Sequence, residues 1–291
     1  MKLQFNKLQG CGNDFVLIDE DLNPGLREED RKRLSHTLRD RHFSIGADSV
    51  LFTHTEENKA IFRTMEDGID LDMCGTGARC VAHYYLGKTG QNSFNLVTIN
   101  GTNLNVTRED DLYRVKMGRV QPVQKYLGLQ TQDRLVAKAD ELFGSLEVEH
   151  FPLDWGIDLH KGYFLNTNEA HLVFFVDDVG RIDLDRIGKF FSFQKDVFPD
   201  TTNVSVGKLM DDSSIQLRTY ERASFHETLA CGTGSLAAAW AARQEFDLEA
   251  DRIRVISRGG EQFVLFEGEE LFLIGPAEST FSGVIDITLE E

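Results

Sequence analysis

Cys74-Gly75-Thr76-Gly77 and Cys231-Gly232-Thr233-Gly234 are two copies of one tetrapeptide in a chain of 291 residues. Each runs into an Ala-rich apolar stretch, 78–86 and 235–243, that reads as a helix. A cysteine just ahead of a helix N-terminus faces backbone N–H groups without intrahelical partners and the positive end of the helix dipole. Both favour thiolate. The glycines leave bare backbone that lets an anion approach closely. Two matched loops point to two thiols aimed at one small anionic substrate.

The duplication extends beyond the tetrapeptide. Phe62-Arg63-Thr64-Met65-Glu66 resembles Leu217-Arg218-Thr219-Tyr220-Glu221. After each helical run comes a β-rich pair around a turn, 95–99 and 103–107 around Asn100-Gly101, then 252–256 and 262–266 around Gly259-Gly260. Such turns between β-rich runs predict hairpins. Upstream, the apolar run 13–19 parallels 170–177, and each precedes an amphipathic segment that predicts a helix, over 25–41 and 181–194. The pattern predicts an α+β fold of two similar domains facing one another across a pseudo-twofold cleft. The expected halves are 1–122, carrying Cys74, and 123–276, carrying Cys231. Their seam falls near Gln121-Pro122-Val123, and the tail 277–291 packs back on the first half.

With 31 basic and 48 acidic residues the formal charge is -17. No Lys/Arg cluster stands out, so nucleic acid and anionic membrane surfaces are not expected partners. No apolar run reaches the length of a membrane-spanning helix and the N-terminus lacks a signal-peptide core, which predicts a cytoplasmic protein. Cys11, Cys74, Cys80 and Cys231 are the four cysteines. In a large cytoplasmic chain they are expected as free thiols, with Cys11 and Cys80 as packing residues. No Cys-x2-Cys or His-x3-His pair suggests zinc, so no metal site is expected.

Gly10-Cys11-Gly12-Asn13-Asp14-Phe15-Val16-Leu17-Ile18-Asp19 resembles the opening signature of the diaminopimelate epimerase family. Met73-Cys74-Gly75-Thr76-Gly77-Ala78-Arg79-Cys80 and Glu227-Thr228-Leu229-Ala230-Cys231-Gly232-Thr233-Gly234 resemble its two cysteine motifs. Arg41-His42-Phe43-Ser44-Ile45-Gly46-Ala47-Asp48, Tyr220-Glu221-Arg222 and Gly275-Pro276-Ala277 follow in the family's order. The resemblance implies two mirrored domains, each a β-barrel-like sheet around a central helix, and a homodimer. It implies inversion of an amino-acid α-carbon without a cofactor. One cysteine removes the α-proton as thiolate and the other delivers a proton as thiol to the opposite face. For diaminopimelate this converts the LL to the meso form, a precursor of lysine and peptidoglycan.

Carried over by position, Cys74 and Cys231 are the acid/base pair, with His171 and Glu221 supporting proton relay. Asn13, Asn203, Glu221 and Arg222 would contact substrate. Gly75, Thr76, Gly77, Gly232, Thr233 and Gly234 would offer backbone N–H groups to its carboxylate. Such donors supply the charge stabilisation that an acid/base pair alone does not, each about 10²–10³-fold in comparable sites.

The chain departs from the family at Met65, where an asparagine is usual, at Glu169-Ala170 in place of Asn-Pro, and at Thr76 in place of asparagine. Ser49 also differs, and the loop 223–226 is one residue longer. Ser49, Met65 and Glu169 are therefore candidate specificity positions. An anionic Glu169 near the distal end of the substrate would repel a carboxylate and favour an ammonium. Two substrates stay open: diaminopimelate with compensating contacts, or another amino acid with a cationic or smaller side chain. A proline-racemase-like enzyme lacks the Gly-Asn-Asp-Phe opening. A cysteine phosphatase needs Cys-x5-Arg, whereas Arg79 stands at Cys-x4-Arg. A thiol hydrolase leaves the second loop unexplained, and a non-catalytic binding protein on this fold is separated by loss of proton exchange.

Overall fold

A computed structural model describes residues 1–71, 73–120, 145–147, 161–193, 195, 198, 201–222 and 224–288. The expected seam at 121–123 lies outside them. The chain forms two compact units, one of Met1–Lys116 with Ile274–Glu291 and one of Met117–Leu273.

In the first unit β1 (Lys2–Gly10) and β2 (Asn13–Asp19) form an antiparallel hairpin. Its turn residues Cys11 and Gly12 both have positive φ, 53° and 80°. That is the left-handed pair that a two-residue hairpin requires. Helix α1 (Glu28–Arg39) crosses from β2 to β3 (Ser49–Glu56), which run parallel. Then β4 (Lys59–Glu66) and β5 (Ile69–Leu71) follow as antiparallel neighbours. Helix α2 (Gly75–Thr89) crosses to β6 (Ser93–Thr98), parallel to β4, and β7 (Asn103–Glu109) and β8 (Leu112–Gly118) complete the run.

The second unit repeats this order. Strands β9 (Ser145–Glu147), β10 (Lys161–Asn166) and β11 (Ala170–Phe175) are antiparallel. Helix α3 (Leu184–Ser192) crosses to the parallel β12 (Asn203–Asp211). Strands β13 (Ser214–Glu221) and β14 (His226–Thr228) are antiparallel, and α4 (Gly232–Phe246) crosses to β15 (Arg252–Ser257), parallel to β13. Strands β16 (Gly260–Glu267) and β17 (Glu270–Pro276) follow, and β18 (Glu278–Asp286) returns to pair antiparallel with β1 of the first unit. The chain is thus an α+β protein built on an internal repeat.

Each Cys-Gly-Thr-Gly loop starts a helix that its own unit encloses. Helix α2 packs against β1, β2, β3, β6, β7 and β18, and α4 against β10, β11, β12, β13, β15 and β16. This explains the Ala-rich sequences: a helix enclosed by strands is apolar all round, and small side chains let the sheets close on it. Both are longer than the runs 78–86 and 235–243, because they begin directly after the cysteine.

Helices α1 and α3 lie outside the strands. Leu34 and Leu38 of α1 pack on Val16, Ile18, Val50, Phe52 and Met65, all essentially inaccessible. Ile187 and Phe191 of α3 pack on Leu172, Phe174, Val204, Val206 and Tyr220. Each such side chain stabilises by about 1.5–3 kcal/mol on burial. Helix α3 is shorter than the predicted 181–194 because Asp183 caps it, accepting Arg186 N–H at 3.2 Å. Residues Val179–Arg181 form a separate 3-10 turn. Among the described residues no helix is long and apolar enough to cross a membrane.

Candidate active site

The two cysteines occupy the same local geometry. Cys74 caps α2 with φ -133° and ψ 107°, and its Sγ accepts the Gly77 N–H at 3.2 Å. Cys231 caps α4 with φ -129° and ψ 119°, and its Sγ accepts the Gly234 N–H at 3.4 Å. Extended backbone at the cap aims each sulfur along the helix axis into the unpaired N–H groups of the first turn. The third helical residue is glycine for a steric reason. A Cβ at Gly77 would lie 3.3 Å from Thr64 Oγ1, and one at Gly234 would lie 3.1 Å from Thr219 Oγ1. Cys74 and Cys231 are half-buried residues, whereas Cys11 and Cys80 are buried, and none of the four is in a disulfide.

Around Cys74, Gly75, Thr76 and Gly77 are buried. Asn13 opens β2 opposite Gly10 and is half-buried. Gly10 admits Thr76: a Cβ there would lie 2.8 Å from both Thr76 Cγ2 and the Pro276 carbonyl oxygen. Beside Asn13, Asp14 is held by Lys7 at 2.6 Å and by Arg41 at 2.7 Å. These hydrogen bonds outweigh desolvation and pull its carboxyl down to about 2.

Met65 is completely buried in the core beneath α1. Strand alternation sends it to the face opposite Thr64 and Glu66. The specificity position expected at Met65 is therefore a core side chain. Its neighbour Glu66, which the sequence reading passed over, is half-buried and accepts the Ser49 hydroxyl at 2.6 Å. Burial is the main reason its carboxyl sits above the usual range, opposed by Ser49 and Arg39. The one available signal was alignment of Glu66 with Glu221 in the repeat.

Around Cys231, the carboxylate of Glu221 accepts from Thr228 Oγ1 at 2.9 Å. Desolvation and then the Glu221 charge push the Cys231 thiol well above its ordinary value. Cys231 Sγ is also 3.5 Å from Thr233 Oγ1, which is 2.9 Å from His171 Nε2.

His171 is wholly buried. Asn203 Oδ1 accepts the Arg222 N–H at 2.9 Å, which turns Asn203 Nδ2 towards His171 Nε2 at 3.3 Å. An amide donor at Nε2 makes that nitrogen the acceptor and places the neutral ring's proton on Nδ1. Nδ1 finds no partner among the described residues. Desolvation, helped by Arg222, depresses His171 to about 3, so the ring stays neutral at physiological pH. Gly232 and Thr233 begin α4, and Thr167 Oγ1 donates to the Thr233 carbonyl at 2.9 Å. Glu169 accepts from Arg222 Nη2 at 2.6 Å. Its charge is matched by Arg222.

The chain matches the family model described as diaminopimelate epimerase over residues 5–123 and 163–279. It is 32% identical to the diaminopimelate epimerase of Methanocella arvoryzae, with 98% of each chain covered. It is 33% identical to that of Archaeoglobus fulgidus, covering 98% of this chain and 97% of the relative. The chain belongs to the diaminopimelate epimerase family. Its fold is similar to that of a PhzF-family phenazine biosynthesis protein from Bacillus anthracis, with a TM-score of 0.67 at 16% identity, covering 99% of this chain and 100% of that one.

Within the diaminopimelate epimerase family the departures of this chain now have structural settings. Thr76 turns its hydroxyl to a buried arginine, accepting from Arg79 Nη2 at 3.3 Å. Ser49 donates to Glu66, and Glu169 is ion-paired. In the loop 223–226, Ala223 lies outside the described residues. Phe225 has φ 56° and stacks on Phe193, with ring centroids 5.8 Å apart.

Proposed function

We propose that the protein is a diaminopimelate epimerase that inverts an α-carbon with two thiols, converting LL- to meso-diaminopimelate in the cytoplasm as a homodimer. The observation that carries this reading is the matched pair of cysteine caps. Each presents a sulfur to the first-turn N–H groups of a helix enclosed by its own strands. Inversion needs a base on one face of the carbon and an acid on the other, one from each half of the repeat. As the α-proton passes to one Sγ, the S–H proton of the other passes to the opposite face, and the electron pair rests meanwhile on the α-carboxylate. N–H groups of Gly75-Thr76-Gly77 and Gly232-Thr233-Gly234 would stabilise that charge. On the Cys231 side, Glu221 and the chain from Thr233 to neutral His171 would steady the thiol's proton.

Diaminopimelate is favoured over a purely cationic substrate by the Glu169–Arg222 pair. A lone glutamate would repel the distal carboxylate, and a neutralised one does not. With Met65 in the core, Glu66 and Ser49 take over as the polar groups offered from the first unit, and a carboxylate there suits the distal ammonium. Asn13, Asn203 and Arg222 retain the contacting or positioning roles that the family resemblance implies. The test is exchange of the α-proton with solvent deuterium across diaminopimelate, lysine, ornithine and smaller amino acids. Exchange into diaminopimelate is expected. Exchange confined to lysine or ornithine would overturn the substrate assignment.

A further inference from the structure

The two caps differ most at the fifth residue beyond each cysteine, which is Arg79 in α2 and Leu236 in α4. Arg79 is a guanidinium with no exposed surface in a helix wrapped by strands. It sits in a fitted seat. Nη2 donates to Thr76 Oγ1 and Nε to the Pro276 carbonyl, both at 3.3 Å. Gly275 lies flat against it: a Cβ there would meet Cζ at 3.0 Å and both terminal nitrogens within 3.3 Å. Gly10 closes the other side, where a Cβ would lie 3.5 Å from Nη2.

Its Nη2 rests on Thr76, two residues beyond Cys74 in the same cap, and its charge acts on the thiols of Cys11, Cys80 and Cys74. Cys80 is also faced by Asp14, and Cys11 by Glu278. Burial pushes both of those thiols up and keeps them protonated. Cys74 is the half-buried residue of the three, and its Sγ also receives the Gly77 N–H. A buried cation acts through a poorly screened medium, so its pull on a neighbouring charge is larger than at a surface. In the second unit the corresponding side chain is apolar, and the charge next to Cys231 is the Glu221 carboxylate.

We infer that Arg79 is a positioning residue that stations the resting thiolate at Cys74, leaving Cys231 as the resting thiol. The inference deepens the two-thiol reading above and rests on it. Turnover then begins with the α-proton moving to Cys74 Sγ and the Cys231 proton moving to the opposite face. Loss of a proton from Cys74 to solvent and gain of one at Cys231 restore the starting state.

Peptide-resolved alkylation by iodoacetamide tests this on the full chain without substrate, between about pH 5 and about pH 10. Cys74 is expected to reach half-maximal reactivity at a lower pH than Cys231, with Cys11 and Cys80 inert. Arg79→Leu, which copies Leu236, should raise the Cys74 midpoint by about one pH unit or more and leave Cys231 in place. Arg79→Lys should return most of the shift. Coincident midpoints in the unmodified protein would overturn the inference, as would an unmoved Cys74 midpoint in folded Arg79→Leu. If Arg79→Leu does not fold, the unmodified protein and Arg79→Lys decide. Deuterium exchange on the same samples separates the two levels. Exchange with coincident midpoints removes only the role of Arg79, whereas no exchange with any amino acid removes the two-thiol reading beneath it.

Discussion

The Cys74 loop and the Cys231 loop share a backbone and a sequence, yet each threonine has a different partner. Thr76 holds the guanidinium of Arg79 at 3.3 Å, whereas Thr233 lies 2.9 Å from the neutral imidazole of His171. The strand behind each loop differs in the same sense. In the parallel pairing of β2 with β3, Phe15 stands opposite Ser49, and in that of β11 with β12, His171 stands opposite Asn203. A duplicated scaffold thus supplies the same aim twice with different neighbours, a guanidinium on one threonine and a neutral imidazole on the other. A reaction that needs one base and one acid at the same moment uses both properties.

The largest effect expected on this comparison comes from the sulfurs themselves. Cys74→Ser and Cys231→Ser should each lower diaminopimelate epimerisation by about 10²–10⁴-fold, the usual worth of a positioned proton-transfer group. Unaltered rates of proton exchange in both variants would dissolve the pairing of the loops.

Next is a stability difference confined to the Cys231 half. Unfolded histidine titrates near 6.5, and His171 in the fold is depressed to about 3 by burial. As pH falls below about 6.5 the unfolded chain takes up a proton that the folded chain refuses. Stability is therefore complete above that pH and is lost towards pH 3, by about 1.4 kcal/mol per pH unit from this group. Denaturant melts along this range should show a shallower acid slope in His171→Gln than in the unmodified protein. Equal slopes would mean that the buried ring accepts its proton readily.

A smaller effect is expected from Gly10→Ala in the Cys74 half, where the added methyl would press on Thr76 and on the Pro276 carbonyl. Overpacking of this kind costs about 1–3 kcal/mol and should appear as a lower melting temperature. It should also raise the Cys74 alkylation midpoint, because the seat of Arg79 moves with Thr76. The mildest is Glu221→Gln. Removing its charge should lower the Cys231 midpoint, but leave it above that of Cys74, since desolvation is the larger cause of its elevation. A crossing of the two midpoints would show that Glu221 alone separates the loops.

The repeat was legible because it is written in local signals. Cysteine, glycines, an apolar run and a hairpin turn follow each other in one order in both halves, and each has a fixed structural consequence. Boundaries were less legible. The turn at Gly259-Gly260 closes one residue earlier, with Ser257 opposite Gly260, because register is set by pairing with β16 and not by the glycines. Met65 and Glu66 show the limit of strand reading. Both lie at the end of β4, and a one-residue difference decides which enters the core. Arg79 was invisible as a buried charge. In sequence it is an arginine on a helix, which ordinarily means solvent, and only the wrapping of α2 by strands leaves it no surface to reach. The Glu169–Arg222 pair joins residues 53 apart in sequence, a distance over which charge patterns carry no local signal.

The seat of Arg79 also sets an order of manufacture. Pro276, whose carbonyl holds the guanidinium, is added to the growing chain 197 residues after Arg79 itself. Strand β18, which pairs with β1 from Lys2 opposite Asp286 onwards, follows later still. On the ribosome the half that bears Cys231, continuous in sequence, has all its strands before the half that bears Cys74 receives its last. A chain stopped short of Gly275 would leave the ribosome with one finished helix cap and one unfinished, its arginine already made and nothing yet to hold it.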